Sequence, residues 1–146
     1  MKQVADKTWS TAAELNAVSR NTIMEVLGIQ VDDFSEQQIV LSMPISDASR
    51  QPYGLLHGGV NMVLAETAAS YHACWGIDLN KKLPVGIEIN GSHLNSADKG
   101  TVRATAIVLR RSASLIVHDV EIIHVETERV LCVSRVTNFY KTLKQA

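Results

Sequence analysis

At 146 residues and 46% apolar content, the chain is long enough to bury a core without disulfide or metal staples, and a single domain over residues 1–146 is expected. A net charge of -1 argues against nucleic-acid binding by broad phosphate neutralisation. Met1 to Thr11 carries charges and lacks the apolar stretch of a secretory signal, and no apolar run approaches the ~18 residues of a membrane span, so a soluble, cytoplasmic protein with no membrane partner is expected.

Ser10-Thr11-Ala12-Ala13-Glu14 has the form of a helix start, with a hydroxyl to cap free amides and a carboxylate at the positive end of the dipole. That helix is expected to run to about Val18. Thr22 to Leu27 reads as a second helical turn ended by Gly28, and Ile29 to Asp33 as a first strand. Ile39, Leu41, Met43 and Ile45 alternate with Val40, Ser42 and Pro44, the period of a strand with one buried face. The late Pro44 puts the end of that strand at an edge or outside the ladder. Asp47 to Leu56 is a loop of turn formers. His57 to roughly Trp75 is the longest helix, close to ~30 Å, stopped by Gly76 and followed by a loop from Asp78 to Pro84.

Four strand-like runs complete the chain, at Val85–Asn90, Thr101–Val108, Leu115–Val125 and Val130–Tyr140. Asp98-Lys99-Gly100 and Glu126 to Arg129 are short turns of the kind that join hairpin partners. This order predicts an α+β architecture, an antiparallel curved sheet of about six strands wrapped around one long helix. That arrangement is the hotdog fold.

The run from Gln51 to Ser70 carries the chemistry. Glu66 is the only carboxylate on a helix of small and apolar residues, and no Lys or Arg occurs between Gln51 and Asn80 to pair with it. A charge among apolar positions costs free energy unless it is paired or used. Ser70 lies four residues on, on the same helical face, where it can bond Glu66, an attacking water, or the Glu66 carbonyl. The Gly58 N–H opens the helix without an intrahelical acceptor, and Gly58 has no side chain to bar close approach. Gln51 precedes Pro52 and is held extended. It is either an amide donor or an exposed loop residue, and His57 is either part of the site or only the helix cap.

Gln51-Pro-x-Gly-x-x-His-Gly-Gly, followed by Leu64-Ala-Glu-x-x-x-Ser, resembles the acyl-CoA thioesterases of the hotdog superfamily. The nearest branch holds the 4-hydroxybenzoyl-CoA thioesterase of the Arthrobacter type, the 1,4-dihydroxy-2-naphthoyl-CoA thioesterase and the proofreading thioesterase of enterobactin synthesis. The resemblance runs from about Leu15 to Phe139, and Val85 to His93 matches the family's third strand. It implies hydrolysis of an acyl-CoA or acyl-carrier thioester to acid and thiol, with no cofactor and no metal. In that family the positions matching Gln51 and Gly58 polarise the carbonyl, with His57 assisting. Glu66 is then the nucleophile or general base, and Ser70 serves it. The carrier segments match Gly86, His93, Ser96 and the stretch Arg110, Arg111, Ser112, Ala113, Ser114. Lys99, Arg110 and Arg111 are candidates to meet phosphates, or ordinary charges at hairpin ends. The family often has a glycine and a basic residue in that last stretch, and this chain departs from the pattern.

Gly58 and Glu66 are ~12 Å apart along one helix, so both cannot touch one thioester carbonyl. If both are catalytic, a homodimer with antiparallel long helices is required. The resemblance adds edge-to-edge pairing of the third strands, Val85 to Ser92, and a homotetramer built as a dimer of dimers. Three rivals remain. A hotdog hydratase or dehydratase would use an Asp/His or Glu/His pair, and no Asp is followed closely by His on the long helix. An acyl-CoA-binding hotdog protein without turnover is the non-enzymatic alternative. A serine hydrolase finds no Gly-x-Ser-x-Gly. The histidines at 57, 72, 93, 118 and 124 form no metal-ligand motif, and Cys74 and Cys132 read as buried, inert thiols of a reducing compartment.

Overall fold

The structure is a computed structural model that describes residues 8–144. The expectation about a signal segment rests mostly on residues outside that range. Among the described residues no helix is long and apolar enough to cross a membrane.

Local sequence sets each element. Thr11 caps α1 (Ala12–Val18), accepting from the Glu14 N–H while the Glu14 side chain reaches back, a complete capping box. Thr22 caps α2 (Ile23–Leu27), and Gly28, at φ 70°, ends it in the left-handed conformation. Two strands follow, β1 (Gln30–Phe34) and β2 (Gln38–Pro44), then a 3-10 turn at Asp47–Ser49. The long helix α3 spans Gly58–His72, and four strands complete the fold: β3 (Lys82–His93), β4 (Thr101–Arg111), β5 (Leu115–His124) and β6 (Arg129–Thr142).

The six strands form one antiparallel sheet in the order β1-β2-β4-β5-β6-β3. Extra residues at Asp32, Ile87 and Leu109 break the register and bend the sheet. α3 lies across the inner face. Asn61, Leu64, Ala65, Ala68, Ala69 and His72 are its buried positions, a helical stripe. Three of these are alanines and they meet Ala104 and Ala106 of β4 in the same core, so helix and sheet approach closely. Leu64 is fully buried there, and its truncation to alanine carries the usual cost of about 2–5 kcal/mol.

Several boundaries move from their expected places. The first strand is displaced by one residue. α3 is 15 residues long, about 22 Å, because Ala73 to Gly76 turn away instead of continuing it. Residues 82–84, expected as loop, pair with Thr142, Lys141 and Tyr140 and begin β3. Pro84 is tolerated because β3 is an edge strand, with β6 its only neighbour.

Candidate active site

The loop before α3 is tied by its own backbone. The Gln51 N–H donates to the Leu55 carbonyl at 2.8 Å, the Gly54 N–H to the Gln51 carbonyl at 2.9 Å, and Arg50 bridges Leu56. Gly54 closes the turn at φ 84°, a conformation that favours glycine. The Gln51 side-chain oxygen accepts from the Tyr53 N–H, which leaves the amide nitrogen free to donate.

His57 is the helix cap. Its Nδ1 accepts from the Gly59 N–H at 2.8 Å, so in the neutral ring the proton sits on Nε2, at the exposed side. The Gly58 N–H has no acceptor among the described residues and stands at the positive end of α3. Both glycines are explained by close approach. A Cβ on Gly58 would lie 2.8 Å from His93 Nε2, and one on Gly59 would lie 3.0 Å from the His57 ring. Gln51, Gly58, Asn61, His93 and Ser96 line one cleft of about 240 Å³. Asn61 was not a sequence candidate. It is buried, its Nδ2 faces His93 Nδ1 at 3.4 Å, and its Oδ1 has no partner. A polar residue on the buried stripe of α3 was the signal available.

Glu66 lies in a different cleft, with Val63, Thr67, Ser70 and Tyr71. Within one chain it is exposed, although the positions around it on the helix are small or apolar. The apolar stripe of α3 faces the sheet, and Glu66 sits beside that stripe. It has no ion pair or hydrogen-bond partner among the described residues. Its Oε1 lies 2.6 Å from where a Gly86 Cβ would be, so the carboxylate lies against the bare backbone of β3. Ser70 does not depend on the Glu66 carbonyl: its Oγ accepts from Asn138 Nδ2 at 2.9 Å. Asn138, on β6, is fully buried with Oδ1 unpartnered. It too escaped sequence reading, although it shares parity with the buried Val136 and Tyr140.

The two clefts share no residue. β3 connects them: Gly58 meets His93 at one end, Met62 meets Gly91, and Glu66 meets Gly86 at the other. α3 therefore runs antiparallel to β3, with its donors and its carboxylate at opposite ends.

The expected carrier residues divide. Gly86 lies against the Glu66 carboxylate, and His93 and Ser96 line the Gln51 cleft. Arg110 and Lys99 are exposed. Arg111 is engaged structurally, with Nη1 donating at 3.1 Å to both the Trp75 carbonyl and Tyr140 Oη. Tyr140 Oη in turn donates to the Ala73 carbonyl at 3.0 Å, so the two residues satisfy the carbonyls just past α3. Ser112 Oγ accepts from the Leu115 N–H at 3.0 Å and shapes the β4–β5 turn, and Ser114 is exposed in that turn.

Behind the site is a buried histidine pair. His72 Nε2 donates to the Ser35 carbonyl at 2.9 Å, so its Nδ1 accepts from His118 Nε2 at 2.8 Å. His118 Nδ1 is left buried and unpartnered. Burial, and then the neighbouring His72 and Arg111, push His118 down from 6.5 to about 3, and burial lowers His72. Cys74 and Cys132 are free and buried, and burial pushes the Cys74 thiol up to about 12. Among the described residues no group of three or more His, Cys, Asp or Glu side chains converges as a metal site.

The thioesterase superfamily description matches residues 53–138. The 1,4-dihydroxy-2-naphthoyl-CoA hydrolase of Listeria monocytogenes is 38% identical over 115 residues, 79% of this chain and 92% of that protein. A mutant of thioesterase PA1618 from Pseudomonas aeruginosa superposes with a TM-score of 0.89 at 30% identity, covering 94% of this chain and 99% of the other. Staphylococcus aureus SAV0944, a thioesterase enzyme, matches at 37% identity and a TM-score of 0.81, covering 83% of this chain and 99% of the other. Its solved mutants replace a glutamine and a glutamate fifteen positions apart, the separation of Gln51 and Glu66 here.

Proposed function

The chain belongs to the thioesterase superfamily, and from that premise we propose that it hydrolyses acyl-CoA thioesters at a site completed by two copies of itself. The carbonyl oxygen lies between the Gly58 N–H and the Gln51 amide of one copy, where developing negative charge meets two donors and the N-terminus of α3. His57 fixes that terminus by capping it. Glu66 of the other copy attacks the carbonyl carbon or takes the proton of a water that does. Ser70, held by Asn138, positions the attacking group. The new C–O bond forms as the C–S bond breaks, and the proton ends on the departing CoA thiol. By the resemblance, His93, Ser96 and the exposed Arg110 meet the carrier.

One observation carries this reading. A carboxylate without a cationic partner and two unspent donors occupy separate clefts of a single chain, and each cleft lacks what the other holds. The matching Gln-to-Glu spacing in SAV0944 supports the same pairing.

The test is thiol release from a panel of acyl-CoAs by wild type and by Glu66→Ala. Loss of the base or nucleophile is expected to lower turnover at least ~100-fold with the fold retained. Equal release by the two proteins would defeat the assignment. Tight CoA binding with no turnover by wild type would instead favour a binding protein.

A further inference from the structure

A second cleft opens beside Glu66, at the C-terminal half of α3. Trp9, Ser70, Tyr71, Cys74, Leu79, Leu83, Pro84 and Val85 line an open cleft of about 240 Å³. Ser70 and Tyr71 line this cleft and the Glu66 cleft together, and Val85 precedes the Gly86 that touches Glu66. The cleft is therefore reached one helical turn beyond the carboxylate. Its volume falls below the ~300–1,000 Å³ typical of a drug-sized ligand, too small for a whole acyl-CoA and of the size for an acyl group.

The lining is dry. Leu79, Leu83, Pro84 and Val85 offer no side-chain hydrogen bonds. Tyr71 Oη is bonded to Ser19 Oγ at 2.8 Å, and Cys74 Sγ donates to the Ser70 carbonyl at 3.4 Å. Ser70 Oγ is held by Asn138 at the mouth. Trp9 meets Tyr71 edge to face, with ring centroids 6.2 Å apart, and forms the outer wall. Apart from the Trp9 indole N–H at the outer wall, the cleft offers a hydroxyl almost no free polar group, so one carried past that wall would lose water without regaining its hydrogen bonds.

We propose that this cleft holds the acyl group and selects apolar acyl chains or an unsubstituted aryl ring over hydroxylated aryl groups, with Trp9 limiting their length. The inference rests on the catalytic reading of Glu66 given above. It separates this chain from the hydroxylated aryl substrate in the name of its Listeria relative.

The test compares kcat/KM for acetyl-, hexanoyl-, decanoyl-, benzoyl- and 4-hydroxybenzoyl-CoA. Benzoyl-CoA is expected to exceed 4-hydroxybenzoyl-CoA by roughly 10- to 100-fold, the range in which an apolar pocket rejects an added hydroxyl. Trp9→Ala opens the wall and is expected to raise the decanoyl-to-hexanoyl ratio several-fold. Leu83→Trp fills the cleft from the edge strand and is expected to lower the hexanoyl-to-acetyl ratio at least about tenfold, the discrimination of a single methylene. Thermal melts by circular dichroism establish that each variant is folded, and either folded variant suffices. Equal or better turnover of the hydroxylated substrate, or ratios unmoved in a folded variant, would overturn the acyl-pocket assignment while leaving the thioesterase reading intact. Absence of thiol release from every substrate would overturn both.

Discussion

Gly86→Ala tests the role of Glu66 without touching the carboxylate itself. A methyl built on Gly86 would lie 2.6 Å from Glu66 Oε1 and 3.6 Å from Cδ, whereas ordinary contact begins near 3.4 Å. The oxygen must therefore retreat by about 0.8 Å. It is the end of a flexible, exposed side chain, so the carboxylate gives way and the backbone does not. The alanine removes a strand glycine, which offsets any small loss of stability. Catalysis is less forgiving, since a shift of ~1 Å at a reacting group costs on the order of 100-fold. Thiol release is expected to fall roughly 10- to 100-fold in kcat/KM, with the melting temperature within about 3 °C of wild type. The resemblance to other thioesterases implies a different role for Gly86, in holding the carrier, and a double-mutant cycle separates the two. In a Glu66→Ala background Gly86→Ala has nothing to displace, and its factor should collapse to near one. A full-sized loss in that background, or unimpaired turnover in the single variant, would refute the reasoning.

Other tests follow from the same geometry. Gln51→Ala should lower kcat on the order of 100-fold, as for one lost oxyanion donor; a change confined to KM would make Gln51 a binding residue only. Stability should fall on acidification because of His118. Its folded value lies below its unfolded one, so above about 6.5 both states are neutral, and between 6.5 and about 3 the unfolded chain binds the extra proton. The loss is about 1.4 kcal/mol per pH unit over that window, near 2 kcal/mol at pH 5. Urea unfolding from pH 7 to 4 measures it, and an unchanged slope in His118→Gln would assign it elsewhere. Mixed Gln51→Ala and Glu66→Ala chains, each inactive alone, should regain activity on subunit exchange, since one of the two sites in the mixed dimer keeps both residues. No recovery after demonstrated exchange would place the site within one chain.

Strand β2 was legible because Ile39, Leu41 and Met43 all reach full burial at period two, a pattern that local physics alone can write. Thr11 and Glu14 marked the start of α1 for the same reason. Lys82 to Pro84 were misread as loop because a proline argues against a strand unless its N–H side faces no neighbour. Only the sheet order reveals that β3 is such an edge. Glu66 was identified as chemically important, but its surroundings were not. Which face of α3 turns to the sheet is settled by packing, and a helix rich in alanine gives weak guidance. Asn138 and the pair of His72 with His118 join residues 68 and 46 positions apart, and no spacing rule reaches across that distance.

Strand β3 ties these observations to the proposed assembly. It is an unpaired edge, with Val85 and Ile87 exposed, and such edges invite pairing with another chain. It also carries both contact points of the split site, Gly86 under Glu66 and His93 beside Gly58. Consider a second copy adding its own β3 antiparallel, about a twofold axis at Asn90, with the extra residue Ile87 left out of the pairing. Gly86 of each copy would then lie opposite His93 of the other. That single register would bring each Glu66 toward the other copy's Gly58 N–H and Gln51, at both ends at once. A shift by two residues would preserve the strand pairing but move each carboxylate off its donors by ~7 Å. The register of one strand pair therefore decides whether the proposed site closes, and a substitution at Asn90 should impair turnover through assembly, with no contact to the substrate.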